Sequence, residues 1–311
     1  MRRMGATYLM SYPGPRWQIR GGENFLSQSR AATSPRRAMH EWLSLCDAIT
    51  RAGGHILVMP PADGEGGAPL TGMVYTANAG QLFHQAAGWT YLVSKMAVPH
   101  RQAERAHVRA FVERAGLEVR EAEHTWEGQA DLQHVVGNRY IATWGVRSVR
   151  ESVDDIRPLL PPSANLLELQ LRDPFFHGDV CLNSIVNKAG TTVLLAHGDA
   201  FVSGGVVAIR NFLGDRTEVL PVDRDDAVGY ACNALCVNGT VFLPSGLSTQ
   251  LRSHLMRRGF MYEEIDLPEL LGKGGGGPRC LVNELRGLVV NPGAPDYSKL
   301  RDGLHALAET Y

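Results

Sequence analysis

The stretch SPRRAMHEWLSLCDAITRAGGHILVMP, residues 34–60, decides how the rest of the chain is read. Ser34 and Pro35 suit a helix start, since a serine oxygen accepts from a free helical N–H and proline has no N–H to lose there. Met39, Trp42, Leu43, Cys46 and Ile49 then recur at helical spacing as one apolar face. Gly53 ends the helix and HILVMP follows as a strand. The unit is an amphipathic helix that runs through glycine directly into a strand.

That join returns in RQAERAHVRAFVERAG before LEVREA, in GGVVAIRNFLG before TEVLPV, and in TQLRSHLMRRG before FMYEEI, closing at Gly116, Gly214 and Gly259. A fifth lies where RSVRESVDDIRPLLPPSAN leads into LLELQL, near residue 165. Hairpin signals fall between the joins, in VNKAGTTVLLA and in YACNALCVNGTVFLPSG, the latter turning at Asn238 and Gly239. A doubly wound sheet would also alternate helix and strand, but no glycine phosphate fingerprint follows an early strand and the hairpins fit it poorly. Five units of roughly fifty residues predict an α/β ring of strand-helix repeats, with residues 1–311 as one domain.

The composition agrees with a folded core: 311 residues, 44% hydrophobic and 20% charged, with a mean hydropathy of -0.14. A net charge of -1 supplies no field for nucleic acid or an anionic membrane, so any charged ligand must be met locally. No apolar run is long enough to span a bilayer, and Ser11 and Pro13 interrupt the opening segment before a signal core forms. A cytoplasmic location is therefore expected. Five cysteines, an odd number in a chain this long, read as reduced thiols and not as a disulfide framework.

Four segments carry reactive residues beyond what a fold needs. In GKGGGGPRC, four glycines (274 to 277) run into Pro278, Arg279 and Cys280. Such a run lets backbone approach a ligand, and Cys280 is expected to begin a strand with Arg279 beside it to lower the thiol pKa. In LRDPFFHGDVCL, His177 and Asp179 would point the same way from an extended segment. In HTWEGQADL, Glu127 and Asp131 flank Gly128, and carboxylates in an apolar stretch call for a cation. In LTGMVYTANAGQLF, Asn78 follows an apolar run among small residues. A zinc site from His177, Cys181, Cys232 and Cys236 competes, although HGDVC and CNALC lack the tight CxxC spacing.

In this order the segments resemble the guanidino-group modifying enzymes, which include dimethylarginine dimethylaminohydrolase, arginine deiminase, arginine dihydrolase and the amidinotransferases. MVYTANAG is similar to their substrate loop, WEGQAD to their carboxylate motif, FHGD to their histidine motif and GGGGPRC to their nucleophile motif. YLMSYPGPRW and PHRQAE extend the resemblance over nearly the whole chain. It implies the pentein fold, a five-bladed α/β propeller, in agreement with the five joins. It also implies Cys280 as nucleophile, His177 as general acid and base, Glu127 as the carboxylate near that histidine, and Asp179 and Asp131 toward the guanidinium. Asn78 stands where the deiminases carry aspartate and the dihydrolase branch carries asparagine. Arg101 and Arg147 look like the arginines that bind the substrate α-carboxylate, with Arg150 a rival to Arg147. The chain departs from the pattern in three places: HGD replaces HLD, Pro278 and Arg279 precede the cysteine where histidine is common, and EGQAD is one residue longer than EGGD.

A guanidinium is planar, always charged and resonance-stabilised, so it has to be held by carboxylates before a thiolate can add to its central carbon. The resemblance implies a covalent S-alkylthiouronium. Water would release it as citrulline or, after further hydrolysis, ornithine, whereas an amine acceptor would take the amidino group. Hydrolysis of arginine or an N-substituted arginine is the expectation, with amidino transfer as the alternative. A ribosome anti-association factor of the same fold binds without catalysis, but it lacks the Cys, His and Glu constellation. No metal or cofactor is expected. The partner is a small guanidino substrate, a homodimer is left open, and the Gly64 to Gly67 loop is expected to close over the site.

Overall fold

The computed structural model describes residues 6–21, 26–27, 32–86, 88–202, 204–288 and 293–311, without the side chain of residue 216. Strand β1 (Thr7–Ser11) runs parallel to β2 (His55–Met59) across helix α1 (Pro35–Arg51). The next sheet joins β3 (Gly80–Gln85) antiparallel to β4 (Gly88–Val93), which runs parallel to β5 (Glu118–Glu121) across α2 (Glu104–Arg114). The third repeats this with β6 (Leu132–Val136), β7 (Arg139–Trp144), the short α3 (Ser152–Ile156) and β8 (Asn165–Gln170). After α4 (Gly178–Cys181), the fourth uses β9 (Leu182–Val186), β10 (Thr192–Ala196), α5 (Gly205–Leu213) and β11 (Glu218–Pro221). The fifth follows α6 (Arg224–Val228) and uses β12 (Leu235–Val237), β13 (Thr240–Pro244), α7 (Thr249–Arg257) and β14 (Met261–Ile265).

Strand β15 (Asn283–Glu284) then returns to β1, pairing Leu9 with Asn283 and Tyr8 with Glu284. The last segment of the chain thus completes the first sheet, and the five three-stranded sheets make a five-bladed α/β propeller of the pentein type. Each of the five predicted joins is the crossover between a parallel strand pair. Gly53, Gly116, Gly214 and Gly259 all have positive φ, 84°, 84°, 57° and 76°, which lets the chain leave a helix and turn into a strand without a Cβ clash. The turn between β12 and β13 has positive φ at both Asn238 and Gly239, as its sequence predicts. Helix α8 (Tyr297–Glu309), unread in the sequence, packs on α1, with Tyr297 edge-on to Trp42.

Apolar side chains collect between sheets and helices. Met39, Trp42, Cys46 and Ile49 of α1 are fully covered, a burial worth about 1.5–3 kcal/mol for each large side chain. The hub itself is polar: Thr76, Asn78, Glu127, Gln129, Asp131, His177, Asp179, Asn233 and Asn283 are all buried. Buried polar groups on this scale require partners. Asn283 donates to the carbonyls of Thr76 and Gly80 at 3.0 and 2.7 Å, tying blade one to blade two. Among the described residues no helix is long and apolar enough to cross a membrane.

Candidate active site

Five segments supply the hub, and each immediately precedes an innermost strand. Asn78 comes before β3, Glu127 and Asp131 before β6, His177 and Asp179 before β9, Asn233 before β12, and Cys280 before β15. The fivefold repeat therefore brings residues from five distant parts of the sequence to one end of the propeller axis. A cleft there is lined by Asn78, Arg101, Arg147, His177 and Cys280, with Tyr75 and Gly274 to Gly276 along one wall.

His177 is extended and caps the one-turn helix α4, whose second residue is Asp179. Its Nε2 lies 2.8 Å from Glu127 Oε2 and 3.9 Å from Asp131 Oδ2. Burial pushes the imidazole pKa down, but Asp131 and Glu127 outweigh it and leave His177 raised. Burial likewise pushes Glu127 up, yet the His177 hydrogen bond and the charge of Arg147 hold it well below the usual carboxylate range. Arg147 Nη1 reaches Glu127 Oε2 at 3.2 Å and its guanidinium lies over the Phe176 ring.

The Cys280 thiol donates to Asp179 Oδ2 at 3.6 Å. Burial, followed by the Asp179 charge, raises the thiol well above its ordinary pKa, and burial raises Asp179 to about 6. Asp179 Oδ1 is buried without a hydrogen-bond partner among the described residues. An acceptor left open this way costs free energy until a donor fills it. A cation bound between Cys280 and Asp179 would lower both pKa values together.

The predicted residues are not placed alike. Cys280 does not begin a strand but sits in a turn three residues before β15. Arg279 does favour the thiolate, but its influence ranks below burial and Asp179, because its guanidinium points away, to Gln129 Oε1 at 2.9 Å and the Val282 carbonyl at 3.1 Å. Asp131 stands behind His177 with its oxygens taken by Thr143 Oγ1 (2.8 Å), Ser148 Oγ (2.6 Å) and the Gly178 N–H (2.9 Å). Arg101 is buried in a fork with Glu104 and also donates to Asn78 Oδ1 and the Gly72 carbonyl, both at 2.9 Å. Arg150 pairs with Glu168 on the exterior, away from the cleft. The Gly64 to Gly67 loop does not line the cleft; Trp17, Gln18, Ile19, Arg20 and Ser27 do.

Two residues went unread. Asn233 accepts from the Cys280 N–H at 3.1 Å and donates to the Asp179 carbonyl at 3.1 Å, so one amide clamps both segments. Its signal lay in ACNALC, where the flanking cysteines drew attention. Tyr75 donates to the Leu270 carbonyl at 2.9 Å and lies against the glycine run. The HGD departure also acquires a reason: a Cβ on Gly178 would stand 2.3 Å from Thr143 Oγ1, the hydroxyl that holds Asp131. Cys181 and Cys236 hydrogen-bond to backbone carbonyls, and among the described residues no three His, Cys, Asp or Glu side chains group as metal ligands.

No family model matches the chain. It is 30% identical over 267 residues to the bifunctional arginine dihydrolase/ornithine cyclodeaminase ArgZ of Synechocystis sp., a match covering 85% of this chain and 35% of that protein. The chain thus corresponds to about a third of that relative's length. Among solved structures it superposes on the N-terminal domain of ArgZ covalently bound to a reaction intermediate, with TM-score 0.80 and 26% identity over 92% of this chain and all of that one. The DDAH of Pseudomonas aeruginosa in complex with citrulline, at 18% identity and TM-score 0.69 over 91% of this chain and 100% of that one, shares the fold. With a five-bladed ring and a polar hub, the chain has the pentein fold of these structures and is similar in sequence to the dihydrolase part of ArgZ.

Proposed function

We propose that residues 1–311 form one catalytic domain that hydrolyses the guanidinium group of free arginine, with Cys280 as nucleophile and His177 as acid and base. One observation carries this reading: Cys280 and His177 line a single cleft together with Arg20, Arg101 and Arg147, and each is backed by a buried carboxylate, Asp179 at the thiol and Glu127 at the imidazole. Such a cleft suits a molecule with a guanidinium at one end and a carboxylate at the other. The similarity to ArgZ supports arginine as the substrate.

The guanidinium would donate to Asp179 and Glu127, filling the open Asp179 Oδ1. Its charge favours the thiolate, which adds to the central carbon. His177, kept protonated by Asp131 and Glu127, gives its proton to the departing nitrogen, and ammonia leaves. The neutral imidazole then takes a proton from water, the hydroxide adds, and the sulfur departs to give citrulline. A second round on citrulline would yield ornithine, ammonia and carbon dioxide, so that one arginine and two waters become one ornithine, two ammonia and one carbon dioxide. Asn233 holds the nucleophile in line, and Asp131 positions His177 without meeting the substrate.

The α-carboxylate needs a cation with donors to spare. Arg101 is committed to Glu104, Asn78 and Gly72, whereas Arg147 gives only Nη1 to Glu127 and its buried Nε has no hydrogen-bond partner among the described residues. Arg20, at the mouth, makes no hydrogen bond or ion pair with any described residue, and it completes the cationic rim. Incubation with arginine, dimethylarginine, agmatine and citrulline, with and without glycine, tests the reading. Ammonia with citrulline or ornithine, formed without glycine, is expected; product that appears only with the acceptor would make the enzyme an amidinotransferase.

A further inference from the structure

A second cavity lies farther along the innermost strands, and the Cys280 cleft shares no lining residue with it. Strands β3, β6, β9 and β15 all contribute to it, as does the Arg279 that turns away from the thiol. Its lining is mixed: Phe83, Trp89, Tyr140 and Leu159 supply largely apolar surface, Arg279 and Arg286 cations, and Glu284 a carboxylate.

The hydrogen bonding leaves these cations undercompensated. Among the described residues Arg279 donates only to neutral acceptors, Gln129 Oε1 and the Val282 carbonyl. Arg286 donates Nε and Nη2 to the two oxygens of Glu284, both at 3.2 Å, and Nη1 to His134 Nδ1 at 2.6 Å. His134 Nε2 faces the Gly137 carbonyl at 2.7 Å, so that nitrogen carries the proton and Nδ1 is the acceptor for Arg286. His134 is then neutral, as burial also favours. Arg286 is paired with Glu284, while Arg279 makes no salt bridge among the described residues and is matched only at longer range by Glu284 and Asp179.

We propose that this cavity is a binding site for a small anion, a carboxylate or phosphate carried on an apolar body, seated on Arg279 and Arg286. A guanidinium with only neutral partners binds such a group by charge-assisted hydrogen bonds, and the aromatic wall takes the body. The site is coupled to the other cleft by a single peptide bond, because Arg279 precedes Cys280. An anion on Arg279 cancels the cation that favours the thiolate, so occupancy slows reaction at Cys280. The inference does not depend on what the Cys280 cleft hydrolyses.

Calorimetry on the whole chain with benzoate, phenyl phosphate and inorganic phosphate tests it, alongside the rate of Cys280 alkylation by iodoacetamide. One benzoate or phenyl phosphate per chain is expected, not displaced by saturating arginine and weakened by it at most several-fold, with inorganic phosphate weaker for want of an apolar body. The preferred headgroup is read from the benzoate and phenyl phosphate arms. Filling the site lowers the alkylation rate several-fold. Arg286→Gln, whose folding is checked by its melting temperature, keeps its basal alkylation rate and loses about tenfold in affinity for the anion. Absence of binding by all three probes, or binding displaced by arginine and indifferent to Arg286→Gln, would overturn the site. An alkylation rate unchanged at saturation would overturn its coupling to Cys280.

Discussion

The ring of Tyr75 lies so close to Gly276 that a Cβ there would stand 2.3 Å from Tyr75 Cε1. The glycine run before the nucleophile is thus shaped by an aromatic ring of blade two as well as by any ligand. Gly276→Ala is expected to cost about 1–3 kcal/mol of stability, as overpacking does, and to displace Cys280, whose Cβ lies 3.2 Å from the same position. In a Tyr75→Ala background the same change should cost much less. Denaturant titration of the four proteins of this cycle checks the coupling, and additive losses would contradict it.

Asp179, raised by burial to about 6, makes guanidine binding pH-dependent. Its folded pKa lies above the unfolded value, so ionisation opposes folding: the contribution of this group to stability is greatest below about pH 4 and falls as pH rises toward about 6. The loss through this group is about 3 kcal/mol. Affinity for arginine runs the other way and weakens about tenfold per unit below pH 6, because the protonated acid cannot pair with the cation. Asp179→Asn should remove this group's part of both dependences, giving a protein more stable at pH 7 and inactive, as seen by calorimetry and melting across that range.

Asp131→Asn separates positioning from substrate contact. The Asp131 charge raises the His177 pKa, and its oxygens hold three donors. Removing the charge should lower the His177 pKa and reduce kcat about 10- to 100-fold, with KM little changed and the basic limb of the pH–rate profile moved to lower pH. A KM effect as large as the kcat effect would place Asp131 against the substrate instead.

Arg20→Gln should raise KM for arginine about tenfold or more, the worth of a charge-assisted hydrogen bond, while activity on agmatine, which has no carboxylate, stays the same. Equal losses on both substrates would mean that Arg20 serves the shape of the cleft and not the carboxylate.

How far the residues could be read ahead of the structure follows from the range of the forces involved. Helix faces such as Met39 to Ile49 and turns such as Asn238–Gly239 are set by neighbours a few positions away, so periodicity exposes them. The convergence of Cys280 with His177 was legible only through resemblance, since no local signal links positions so far apart. Asn233 was missed for the same reason: its two partners lie 47 and 54 residues away, and an amide in a hairpin pattern is ordinary. The resemblance directs Arg101 to the substrate α-carboxylate and Asp131 to the guanidinium, but which partner each takes depends on Glu104, Ser148 and Thr143, whose side chains point inward only once the blades are closed.

The proposal that Cys280 attacks a bound guanidinium is tested most directly by acid-quenching the enzyme during turnover of arginine and mapping its peptides by mass spectrometry. The predicted result is an adduct of arginine less one ammonia on the Cys280 peptide, absent from Cys280→Ser, which should also lose turnover. Undiminished ammonia release by Cys280→Ser, or a substrate-derived adduct on Cys46 with Cys280 unmodified, would contradict it.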